Sequence, residues 1–202
     1  MNHAPRRLAY LLAVVLSLPA LGCVPSAVPA VVIPPVGVSE IPAANLPVEL
    51  RPHNWTDRAG SGSCVNASTV YNLRWTANEP LADWWRKNHA GGETATTIRQ
   101  HHDARNLRYY FTLSADPRLL DWCTATRRSA LIWYYPRHCV NFVGFSGNFA
   151  HLVDNNRPTQ VIRVEREEFL RNWAGYGGFA LALANPPVPP PLYDARQRPQ
   201  ML

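Results

Sequence analysis

The sequence predicts an α+β domain, with helices leading and an antiparallel sheet following. Three observations carry this. Apolar residues recur at helical spacing between residues 63 and 126. From residue 129 the pattern changes to short β-branched and aromatic runs separated by turn residues. Proline marks the limits: the chain has 19 prolines against 11 glycines, and they crowd residues 25–47 and 186–199. The expected folding unit is therefore 51–185, in a chain whose 202 residues give room for one domain. Helices first and an antiparallel sheet afterwards argue against a doubly wound nucleotide-binding sheet.

The elements follow in order. Over 63–75, Cys64, Ala67, Tyr71 and Trp75 fall on one helical stripe, with Ser61 and Ser63 as N-caps and Gly60 and Gly62 loosening the approach. Residues 81–88, with Trp84 and Trp85, read as a second helix, and 94–102 as a third. Asp116-Pro117 starts a helix that runs to about Thr126, an acid at the N-cap and proline at the first helical position. Strands are expected at 129–135, 138–145, 149–154, 160–164 and 179–183, with a short helix at 167–173. Ser146-Gly147-Asn148 reads as a hairpin turn. The aromatic clusters Trp84-Trp85 and Tyr109-Tyr110-Phe111 read as core.

With 47% hydrophobic and 17% charged residues, wholesale disorder is excluded. The net charge of +6 comes from arginine, with Lys87 the single lysine, and no basic run or basic helix face emerges. Nucleic acid is not an expected partner.

Residues 1–22 have the layout of a secretory signal peptide: Arg6 and Arg7, an apolar stretch over 8–18, then Ala20-Leu21-Gly22 before Cys23. A cysteine directly after the cleavage point resembles a bacterial lipoprotein signal. That pattern prefers leucine and a small residue where Ala20 and Leu21 stand. The resemblance implies a lipid on Cys23 and a protein held at the bacterial cell envelope. A plain signal peptide, giving a periplasmic or secreted protein, and an uncleaved anchor are the alternatives. Residues 23–50 read as a Pro-rich tether and 186–202 as a Pro-rich tail.

Chemistry concentrates at three residues. Cys64 follows Gly-Ser-Gly-Ser and opens a helix, where unpaired N–H groups and the helix dipole favour the thiolate. A structural cysteine fits the same position. His138 opens a strand and is either a base or a surface histidine. Asp154 ends the next strand, and register decides whether it reaches His138. If residues 146–148 are all loop, Val140 faces Asp154, and His138 becomes a diagonal neighbour of Asp154 on the same face. A two-residue loop turns Asp154 to the opposite face. Pairing of the two therefore requires the longer turn, or a bulge of equivalent effect.

The order Cys, His, Asp resembles papain-like cysteine peptidases, most of all the bacterial bacteriocin-processing peptidases that cut after double-glycine leaders. The matching pieces are Gly62-Ser63-Cys64-Val65-Asn66-Ala67-Ser68, His138-Cys139-Val140-Asn141-Phe142-Val143-Gly144-Phe145, Leu152-Val153-Asp154-Asn155-Asn156, and the helix from Glu167-Glu168-Phe169 to Trp173. The resemblance implies a papain-like fold and a thiol peptidase or amidase. In it Cys64 is the nucleophile, His138 the general base and acid, and Asp154 the residue that fixes the imidazole. It implies a peptide or protein substrate and no cofactor. The family's glutamine before the cysteine is absent between Arg51 and Cys64. Arg58 stands near its place, and Asn54 supplies an amide for the oxyanion if the Gly-Ser loop is an insertion. Val65 stands where glycine is common. A catalytically weak module that binds peptides or a partner, and an acyltransferase on the same triad, are the alternatives.

Cys123 and Cys139 remain. In an exported protein they are either a disulfide or two buried thiols. His101-His102-Asp103 offers metal-ligand types, but adjacent histidines on a helix diverge by about 100° and chelate poorly, so no metal is expected. His151 is expected on the face away from Asp154.

Overall fold

Helix α1 (Cys64–Trp75) is buried on every side, with Arg74 its single residue that is not. Here α2 and the sheet enclose it, and its buried polar side chains find internal partners: Asn66 Oδ1 accepts from Trp85 Nε1, Thr69 Oγ1 donates to Val65 O, and Asn72 Oδ1 accepts from Ser129 Oγ. The computed structural model describes residue 44 and residues 46–185. The expected leader, Cys23, most of the tether and the tail lie outside the described residues. Among the described residues no helix is long and apolar enough to cross a membrane.

Local signals start the remaining helices. In α2 (Glu79–Asn88) the Asn78 side chain accepts from Leu81 N. Thr94 and Thr97 form a reciprocal capping box at α3 (Ala95–Asp103). Asp116 caps α4 (Pro117–Ala125) by accepting from Arg118 N. The last helix, α5 (Arg166–Gly175), carries Glu167 and Glu168 in its first turn, where the dipole favours acids.

The strands β1 (Tyr109–Thr112), β2 (Ala130–Trp133), β3 (Cys139–Ser146), β4 (Phe149–Val153), β5 (Ile162–Glu165) and β6 (Ala180–Leu183) form one antiparallel sheet in the order β1-β6-β2-β3-β4-β5. The architecture is α+β, as expected. Helices cover both faces, however. Cys64, Val65, Trp85 and Ile98 pack with Leu131, Cys139 and Leu181 on one face. Leu120, Cys123, Phe169 and Trp173 pack with Ile132, Val140 and Phe142 on the other. The cause is in the central strands: Ala-Leu-Ala-Leu of β6 is buried throughout, the pattern of a strand covered on two sides. Truncating a fully buried Trp85 or Trp173 to alanine is worth about 3–5 kcal/mol.

Three expectations change. The aromatic run at 109–111 is core only at Tyr109, which packs against the cluster under one face; the run forms the edge strand β1, with Tyr110 57% and Phe111 43% exposed. The end of the expected tether belongs to the folded unit. Ala44 and Leu46 are buried, the Tyr71 hydroxyl accepts from Leu46 N at 2.8 Å, and Arg51 donates to Leu46 O at 2.8 Å and to Pro158 O at 2.7 Å. Cys123 and Cys139 are not joined by a disulfide; both are buried thiols. Cys139 packs towards α1, while Cys123 packs against Val140 and Phe142 on the opposite face. Consecutive strand residues point opposite ways, which keeps the two sulfurs apart.

Candidate active site

The Gly-Ser segment before Cys64 is a pinned turn. Asp57 Oδ1 accepts from Ala59 N and Ser61 N, both at 2.8 Å, and Thr56 and Gly62 form a β-bridge. Ser63 takes the N-cap position of α1, but its hydroxyl accepts from Gly91 N at 2.8 Å instead of capping the helix. Cys64 then begins α1 with no side-chain cap ahead of it. It is fully buried, and its neighbour Val65 lines the adjoining cleft.

His138 follows a tight connection between β2 and β3. Tyr134 N donates to His138 O, and His138 N to Tyr135 O. Tyr135 and Arg137 hold φ of 70° and 55°. Left-handed backbone at two bulky residues costs energy, and such strain concentrates at functional sites. The His138 ring is buried and stacks near Tyr135.

Asp154 reaches His138 by the second of the two anticipated routes. The hairpin turn is the short one: Ser146 pairs with Phe149, leaving Gly147 (φ 53°) and Asn148 as the loop. That turn alone would place Asp154 on the wrong face. A bulge then shifts the register, since Gly144 pairs with His151 while Phe142 pairs with Leu152. The extra residue, Val143, packs with Leu46, Tyr71 and Val153. Beyond the bulge Asn141 faces Val153, so the ladder carries Val140 towards Asp154 and restores the parity. His138 Nε2 donates to Asp154 Oδ1 at 2.7 Å, and Asn156 N donates to the same oxygen at 2.8 Å. Burial alone raises the Asp154 carboxyl. The hydrogen bond and charge of His138, with the Asn156 N–H, outweigh it and hold the pKa below the ordinary aspartate value.

Asparagines tie the pieces together, a feature that residue types alone did not reveal. Asn155 Nδ2 donates to Cys64 O at 3.1 Å, Ser68 Oγ at 3.2 Å and Cys139 O at 2.8 Å, joining the start of α1 to the strand residue after His138. Asn54, the expected oxyanion donor, is bound into the loop structure beside Cys64. Its Oδ1 accepts from Ser63 N at 2.9 Å and its Nδ2 donates to Asn156 Oδ1 at 2.9 Å. Its backbone N–H is bonded to Asn155 O. Asn54 is thus a clasp between the residue before Cys64 and the loop that follows Asp154.

A cleft of about 260 Å³ opens here. Val65, Trp133 and Glu93 form part of its wall, and Tyr135, Arg137, His138 and Tyr176 the rest. The side chains of His101, His102 and Asp103 turn to different partners. His102 turns inwards, its Nδ1 bonded to Ile98 O at 2.7 Å, and Asp103 accepts from Tyr109 Oη at 2.8 Å. His101 instead meets Glu93 at 3.3 Å. Among the described residues, one group of three ligand types converges, His89, Glu93 and His101. His151 is buried in β4, where it pairs with Gly144 of β3 and Arg163 of β5.

The chain is similar to the peptidase domain of Streptococcus mutans ComA. That domain in complex with a small-molecule inhibitor matches at 22% identity and TM-score 0.36, over 45% of this chain and 74% of that one. A second structure of the same domain matches at 23% identity and TM-score 0.36, over 46% and 75%. No protein-family model and no curated protein matches the chain.

Proposed function

We propose that the chain is a papain-like thiol hydrolase of peptidase or amidase type, with Cys64 as nucleophile. The observation that carries the reading is the 2.7 Å bond between His138 Nε2 and Asp154, at the end of the sheet where Asn155 holds α1 against β3. With Nε2 committed to Asp154, Nδ1 is the nitrogen that takes the thiol proton. The Cys64 thiolate attacks an amide carbonyl, and the oxyanion forms beside the N-terminus of α1. His138 returns the proton to the leaving amine as the C–N bond breaks. Water then attacks the thioester with His138 as base, releasing the acid and restoring the thiol. No cofactor enters. In this reading residues 1–22 are removed, a lipid on Cys23 holds the domain at the bacterial envelope, and the substrates are peptides or proteins.

The second reading is a module that binds peptides in the cleft with little turnover. The complete burial of Cys64 favours it. The two separate on one experiment. The protein is incubated with an activated ester, quenched in acid and weighed intact, and the modified residue is mapped. An acyl group on Cys64 that is absent in His138→Ala supports the hydrolase. Peptide binding without any adduct on Cys64 supports the binding module.

A further inference from the structure

We propose that His89, Glu93 and His101 form a binding site for a divalent transition-metal ion, Zn²⁺ before others, on the wall of the cleft. One ligand atom from each lies within 4.8 Å of the other two. His101 Nε2 and Glu93 Oε1 are 3.3 Å apart. A tetrahedral ion with bonds of about 2.0–2.1 Å spaces its ligands about 3.3 Å apart, so one edge already has the right length. Two imidazoles and a carboxylate are a donor set that suits zinc, and three protein ligands leave a fourth position open.

The ligands are also held in place. His89 ends α2, its N–H bonded to Trp85 O at 3.0 Å and its carbonyl accepting from Trp55 Nε1 at 3.1 Å. Its ring stacks on Trp85 with centroids 4.6 Å apart, and the His101 ring meets the same indole edge-on at 6.3 Å. Trp85 is itself fully buried and anchored through Nε1 to Asn66 Oδ1 at 3.0 Å. Glu93 directly precedes the capping box of α3. One rigid indole thus orients both imidazoles, the preorganisation that a metal site requires. Arg105, over the Trp84 ring at 3.4 Å, is the nearby positive charge that the ion has to tolerate. Because Glu93 also lines the cleft, a bound ion would sit on the same cavity as His138.

The test uses the full chain carrying Cys64→Ala, so that the thiol cannot take the metal and the result is independent of the catalytic reading. Zn²⁺ is titrated in competition with a chromogenic chelator. The expected result is one ion per chain with Kd of about 1 μM or tighter. His89→Gln, His101→Gln and Glu93→Gln should each weaken it by about tenfold or more, while Asp103→Asn leaves it unchanged. Co²⁺ should give visible bands of a tetrahedral nitrogen and oxygen site, lost in His101→Gln. Circular dichroism checks each variant, and Glu93→Gln keeps the test decisive where a histidine variant unfolds. Binding weaker than about 1 mM, which would leave His101 and Glu93 an ion pair only, overturns the proposal. So does tight binding undiminished by Glu93→Gln.

Discussion

Replacing Asn155 with alanine should loosen the joint between the nucleophile helix and the histidine strand. The Asn155 Oδ1 is buried with no hydrogen-bond partner among the described residues, so the polar contribution of the side chain comes through Nδ2. Two hydrogens serve three acceptors: the carbonyls of Cys64 and Cys139 and the hydroxyl of Ser68. Alanine removes a donor from two buried carbonyls, at about 1–2 kcal/mol each, so a loss of about 2–4 kcal/mol is expected. For a folded unit of this size that is a fall in Tm of roughly 10 °C. Urea unfolding followed by tryptophan fluorescence measures the loss of stability, and a faster or slower Cys64 alkylation in the folded variant reports the loosened joint. Asn155→Asp keeps the size but turns a carboxylate towards two carbonyls, and should be at least as damaging. A loss below about 0.5 kcal/mol, with alkylation of Cys64 unchanged, would refute the reasoning.

Three further outcomes follow from the same geometry. The folded-state pKa of His102 is pushed down to about 4, chiefly by burial, while the unfolded value stays near 6.5. Stability is therefore complete above about pH 6.5 and falls by about 3 kcal/mol as pH drops towards 4; urea midpoints at several pH values should show this, and His102→Gln should flatten the slope. Asp154→Asn should keep the fold and retain part of any turnover, because the amide oxygen still accepts from the ring, whereas Asp154→Ala should lose more; melting curves with a turnover assay rank them, and a folded Asp154→Ala at full activity would remove Asp154 from the site. The Cys123 thiol is pushed up to about 12 by burial, so it should resist alkylation at neutral pH until the protein unfolds, and rapid modification of the native chain would contradict that burial.

Much of the architecture was legible because local signals agreed with it. Asp116-Pro117 marked a helix start and Thr94 another, and both caps form. The change of period after residue 129 located β2 to β6. What stayed hidden depended on contacts distant in sequence. The apolar strands β2 and β6 announced a buried sheet, but not that α4 and α5 would cover its second face. Tyr109 to Phe111 read as core because large aromatics usually bury, yet β1 pairs on one side only and leaves Tyr110 and Phe111 in solvent. The parity of Asp154 was reducible to two routes, and only the observed pairing of Phe142 with Leu152 decides between them. Gly144, at φ 136° within a strand, was the residue that marked the bulge. Asn155 lies inside the matched stretch 152–156, but that match gives it no role. Its role arises where residues 64, 68 and 139 meet around one nitrogen. His89 and Glu93 likewise sit in a connection whose path no periodicity describes.

The pH profile of Cys64 alkylation, in the intact protein and in His138→Ala, tests the central claim most directly. A thiol served by His138 and Asp154 should react well below the free-thiol value of about 8.5 and faster than Cys123 or Cys139, and His138→Ala should remove the reactivity at low pH. A single titration near 8.5 that is the same in both proteins, with Cys64 no faster than Cys139, would contradict it.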